Sequence, residues 1–172
     1  MKGLIYNQQT CREIPYGLRS SAQVGCGWIA TWNALKILGY TTDQEALVRY
    51  FTWMLPVIHG NLGTVFWAPE RCFRQWGFET KLVFDRKKFD KALDCADAAI
   101  VFYHWAGKKG LGAHFVALEK TDNGIRGYNT YRDSGGPDDW GRSLEMFLRK
   151  RGYFGCVLLA IRKKGGENIE IG

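Results

Sequence analysis

The segment GCGWIATWNALKILG, residues 25–39, constrains the fold more than any other part of the chain. Between Gly27 and Leu38 only Thr31, Asn33 and Lys36 are polar, so a helix here is apolar around most of its circumference. Such a helix has to lie at the centre of a core, covered on all sides, with Gly39 as its C-terminal cap. A chain of 172 residues can build that core as one domain, residues 1–172, without disulfide or metal staples.

The remaining elements follow from caps, breakers and apolar runs. Residues 1–25 read as extended or irregular, with Pro15, Gly17 and Gly25 as breakers. Thr42 with Glu45 forms a capping box for a second helix over about 43–54. Thr64 is placed to cap a third helix running to Trp76 and ended by Gly77. Beyond it the pattern turns to strands: 79–84, 98–105 and 113–120, then 125–131 after the Asp122-Asn123-Gly124 turn, and 155–163 last. Asp85 and Ser143 each open a short helix between strands. Helices first and mostly antiparallel strands after make the fold class α+β. The tail, residues 165–172, reads as flexible.

Charge and cysteine usage narrow the function classes. The net charge is +7, but the basic residues are scattered at element ends: 86–88, 108–109, 149–151 and 162–164. With no nucleic-acid motif alongside, these clusters read as solvated faces, and no nucleic-acid partner is expected. No run approaches the roughly 20 apolar residues of a membrane span, nor is there a signal-peptide core, so no membrane is expected. Five cysteines without a CxxC pair argue against a disulfide framework or zinc ribbon and for a reducing, cytoplasmic compartment.

Among the cysteines, Cys26 has a distinctive setting. It opens the apolar helix between Gly25 and Gly27, where free backbone N–H groups and the helix dipole favour a thiolate and can receive an oxyanion. Position alone fits a buried structural cysteine equally well. Cys11, Cys72, Cys95 and Cys156 lack this setting and read as packing or inert surface residues. A nucleophilic cysteine needs an imidazole and a group to orient it. Of three histidines, His59 falls in a loop, His104 ends one strand and His114 begins another, after the mobile-looking loop AGKKGLGA. Pairing about the Asp122–Gly124 turn brings Asn129 near His114, with a side-chain amide able to hold the ring. His104, His114 and Cys26 match no zinc spacing, and the Gly-rich stretches match neither a phosphate loop nor a calcium loop. Tyr103, Trp105 and Trp28 are candidates to line a cleft beside the site.

GCGWIATWNALKILG, AHFVALE and GYNTY together resemble the papain-like cysteine peptidase superfamily. Within it the chain is most similar to the compact bacterial domains that cleave double-glycine leaders from bacteriocin precursors, and the resemblance covers nearly the whole length. The resemblance implies a papain-like fold and a Cys26 thiolate attacking a peptide or amide carbonyl. His114 is then general base and acid, Asn129 its orienting partner, and no cofactor or metal is needed. The implied partner is a peptide or protein substrate. Two positions depart from those leader peptidases: Asn129-Thr130 stands where they carry an Asp-Pro pair, and Gln23, the nearest glutamine and the implied oxyanion-hole donor, stands only three residues before Cys26 where they place theirs several residues before. Those departures keep open a second reading, a degenerate member that binds a peptide or protein without cleaving it.

Overall fold

A computed structural model describes residues 3–54, 63–107 and 110–164. His59, the Lys108–Lys109 pair and the tail over 165–172 lie outside the described residues. The N-terminal segment is more structured than its breakers suggest. A 3-10 turn at Gln8–Cys11 leads to a small hairpin, β1 (Pro15–Tyr16) with β2 (Arg19–Ser20), and a single helical turn, α1 (Ser21–Val24).

The apolar helix is α2, Cys26–Ile37, and it is buried as its composition demands: Trp28, Ile29, Ala30, Ala34 and Leu35 are wholly enclosed. Each of its larger apolar side chains contributes about 1.5–3 kcal/mol by leaving water. Two of its polar residues, Thr31 and Asn33, are buried as well and find partners inside. Thr31 donates to the Gly27 carbonyl, and Asn33 makes two 2.8 Å bonds with the backbone of Ile5, which ties the N-terminal segment across the helix. α3 (Gln44–Trp53) is capped by Asp43, whose carboxylate accepts from the Glu45 N–H, rather than by Thr42. α4 (Ala68–Gln75) is shorter than expected because Pro69 sets its first turn. Thr64 is no cap at all: its hydroxyl lies buried against the Tyr16 hydroxyl at 2.7 Å.

Strands β3 (Glu79–Val83), β4 (Ala98–Gly107), β5 (Gly110–Thr121), β6 (Gly124–Tyr128), β7 (Asp138–Asp139) and β8 (Phe154–Arg162) form one sheet in the order β3-β8-β4-β5-β6-β7. Every pairing is antiparallel. The stretch expected as a mobile loop before His114 is largely ladder, because β4 and β5 pair out to Gly107 and Gly110. Alternation along the strands separates two cores. Phe115, Ala117, Ile100 and Leu159 pack towards α2, whereas Val116, Leu118, Val101 and Leu158 pack towards α5 (Phe89–Asp94) and α6 (Leu144–Lys150). A third cluster joins α2, α3 and α4 to the N-terminal hairpin. Among the described residues the basic clusters at 86–88, 149–151 and 162–164 are exposed, with Arg86 the exception: half-buried, it donates to the Tyr153 carbonyl at 3.1 Å.

Candidate active site

The position of Cys26 is set by its glycine neighbours. α1 ends and α2 begins at Gly25, where a Cβ would lie 2.6 Å from the Trp28 Nε1 atom and 2.7 Å from the Ser21 carbonyl oxygen. That corner is fastened by a buried bond from Trp28 Nε1 to Ser21 Oγ, 3.0 Å long. Trp28 is therefore a core residue and lines no cleft. Gly27 leaves room for Thr64, whose side chain would sit 2.4 Å from a Cβ there. The 63–67 segment thus runs directly against the first turn of α2, beside the cysteine.

Cys26 and His114 line one cavity of about 320 Å³, with Gln23, Asn129, Tyr103, Trp105 and Gln8 in its wall. All four sequence-derived site residues meet there. β6 ends at Tyr128, and Asn129 follows in the left-handed conformation, φ +65°. This bend presents its backbone carbonyl to the His114 ring, with Nε2 to oxygen at 2.6 Å. The expected holder was the side-chain amide. That amide is occupied elsewhere: Asn129 Oδ1 accepts from the Gln8 N–H at 2.8 Å, and Nδ2 donates to Gln8 Oε1 at 3.3 Å. A carbonyl can only accept, so Nε2 carries the proton in the neutral ring and Nδ1 is left as the basic atom.

Gln8 is a cavity residue that sequence reasoning missed. Its amide nitrogen donates to the Ala22 carbonyl at 2.9 Å, so it links the Asn129 corner to the turn before Cys26. The chain folds back through the 3-10 turn and hairpin to bring it there, and nothing in local spacing signals that return. Gln23 is exposed and uses its Oε1 to accept from the Ser20 N–H at 3.4 Å, leaving its amide nitrogen available to the cavity.

Burial pushes the Cys26 thiol up to about 11, outweighing the backbone N–H groups of Phe115, Cys26 and Gly27 that pull it down. Burial likewise pushes His114 below 6.5, against the opposing pull of the Asn129 carbonyl. Burial at this site therefore opposes the thiolate that the start of the helix favours. All five cysteines are free. Cys11, Cys72 and Cys156 are buried, and burial raises each of their thiols as well. Among the described residues no three His, Cys, Asp or Glu side chains cluster as a metal site requires, and no helix is long and apolar enough to cross a membrane.

A cysteine opening a buried helix, packed against an antiparallel sheet that carries the histidine, is the arrangement of the papain-like peptidase fold, an α+β fold. The chain is similar to the crystal structure of the peptidase domain of Streptococcus ComA, a bifunctional ABC transporter involved in a quorum-sensing pathway. The two share 17% identity with a TM-score of 0.51, over 78% of this chain and 90% of that one. That likeness is one of fold. No family model matches the sequence, and no curated protein does.

Proposed function

We propose that this protein is a papain-like thiol hydrolase, a cysteine peptidase acting on a peptide or amide bond. One observation carries the reading: Cys26 and His114 share a cavity, and the bond from Nε2 to Asn129 leaves Nδ1 as a base within it. As Cys26 Sγ attacks the carbonyl carbon, its proton passes to Nδ1 of His114. The Cys26 backbone N–H and the Gln23 amide receive the oxyanion. When the C–N bond breaks, His114 returns the proton to the departing amine. A water molecule then attacks the thioester carbon as His114 takes its proton; the C–Sγ bond breaks, the proton passes back to Cys26 Sγ, and the acid leaves. These residues and water suffice for every step.

A reducing, cytoplasmic setting belongs to this reading and rests on the sequence, with its five cysteines and no CxxC pair. A binding module without turnover is the second reading, favoured by the thiol being pushed up to about 11. Exposure of a proteome-derived peptide pool to wild type and Cys26→Ala, read by mass spectrometry, separates the two. New peptide termini are expected with wild type and absent with the variant, whose fold is retained because the residue is only half-buried. Equal termini with both proteins reject Cys26 as nucleophile, and none with either leaves the binding reading.

A further inference from the structure

Resting on the thiol-hydrolase reading, we propose that the leaving half of the substrate carries a carboxylate within three residues of the bond attacked, and that Arg132 binds it. The departing amine takes its proton from His114, so the fragment that leaves lies in the cavity that His114 lines. Arg132 lines the same cavity. It comes three residues after Asn129, whose carbonyl holds the His114 ring, and three residues of chain span at most roughly 11 Å. An extended substrate advances about 3.3 Å per residue, so its first three residues fall within reach of the guanidinium.

The wall is positive on this side, and nothing in it answers the charge. Among the described lining residues there is no Asp or Glu, and Arg132 is the one Lys or Arg. Among the described residues the Arg132 guanidinium has no ion-pair or hydrogen-bond partner. It also belongs to none of the basic clusters that read as solvated faces. A second guanidinium, that of Arg151, stands over the Tyr131 ring at 5.5 Å, and Tyr131 is part of the wall. The acidic residues that follow in the chain lie outside it: Asp133 is exposed, and Asp138 accepts from the Ser134 hydroxyl at 2.8 Å. A guanidinium presents a planar fork of N–H donors that meets a carboxylate with two parallel bonds. In a peptide that group is an Asp or Glu side chain or the free chain end.

The test uses bromoacetyl dipeptides, in which the electrophilic carbon stands in for the attacked carbonyl and the peptide runs on the leaving side. Three isomers each carry one carboxylate: bromoacetyl-Glu-Gln-amide on the first side chain, bromoacetyl-Gln-Glu-amide on the second, and bromoacetyl-Gln-Gln at the chain end. Bromoacetyl-Gln-Gln-amide is the uncharged reference. The second-order rate of Cys26 alkylation is measured in wild type, Arg132→Gln, Arg132→Glu and Lys81→Gln. Each rate is divided by the iodoacetamide rate of the same protein, so that general changes in thiol reactivity cancel. Lys81 is an exposed cation on β3, at the sheet edge opposite β7, and lines no part of the cavity.

At least one isomer is expected to exceed the reference by about fivefold, the size that an Arg–carboxylate pair open to solvent supplies. Which isomer it is tells an acidic side chain from a free chain end. Arg132→Gln is expected to remove the excess, Arg132→Glu to invert it, and Lys81→Gln to leave it. All three isomers within about twofold of the reference in wild type overturn the proposal, and that comparison needs no variant to fold. An excess that survives in Arg132→Glu, or that Lys81→Gln reduces as much as Arg132→Gln does, overturns it too, as the field of the net +7 charge alone. Failure of the hydrolase reading shows separately, as iodoacetamide labelling that does not depend on His114.

Discussion

The imidazole of His114 is held by the backbone carbonyl of Asn129, 2.6 Å from Nε2, while the Asn129 side chain is bonded to Gln8. What orients the ring is therefore the left-handed bend at residue 129, φ +65°, and not the amide. Glycine adopts that bend freely, whereas a β-branched residue is a true outlier there. Asn129→Gly is expected to keep kcat/KM within about fivefold of wild type, and Asn129→Val to lose about tenfold or more, as strain of this kind costs about 1–3 kcal/mol. Steady-state kinetics on a cleaved peptide decide it. An Asn129→Gly variant as inactive as His114→Ala means that the amide orients the ring after all.

Removing a single oxyanion donor typically costs about 10²–10³ in kcat. Gln23→Ala is expected to show a loss of that size with little change in KM. Gln8→Ala is expected to act through positioning, by loosening Asn129 and the Ala22 carbonyl it joins, with a smaller loss. Measuring both variants on one substrate settles the assignment. The large loss falling on Gln8→Ala, with Gln23→Ala near wild type, transfers the donor role to Gln8.

Gly27→Ala tests how the 63–67 segment is seated. A Cβ there lies 2.4 Å from the Thr64 side chain, which is itself pinned by Tyr16. Overpacking of this kind costs about 1–3 kcal/mol, more than the roughly 1 kcal/mol that alanine gains over glycine in a helix. Urea denaturation is expected to show a net loss of stability. Unchanged or raised stability means that Thr64 moves aside freely and does not hold the 63–67 segment against the first turn of α2.

Much of this architecture is legible in the sequence. The helix of Cys26 is betrayed by its apolar circumference, strands β4, β5 and β8 by their apolar runs, and the approach of Asn129 to His114 by the Asp122–Gly124 turn. What the sequence hides has physical reasons. Every residue owns a carbonyl, so residue type cannot reveal that Asn129 works through its backbone. Thr64 looks like a cap because caps and buried hydroxyl pairs use the same side chain, and its partner Tyr16 is far away in the chain. Gln8 reaches the site only through a fold-back of short irregular elements. The glycines around 107–112 suggest a loop, yet they lie in a paired hairpin and, at Gly112, make room for the Trp105 ring.

The most direct test of the Cys26–His114 pair is the rate of Cys26 alkylation by iodoacetamide as a function of pH, in wild type and in His114→Ala. Attack requires the state in which the pair holds one proton, wherever that proton sits, and acid fills it with two. Burial lowers His114 below 6.5 and raises Cys26 to about 11. The wild-type rate is therefore expected to rise with pH through a midpoint below 6.5 and to stay high through neutrality, whereas His114→Ala labels only as pH climbs towards 11. Identical profiles in the two proteins, both rising only in alkali, contradict an activated nucleophile at Cys26.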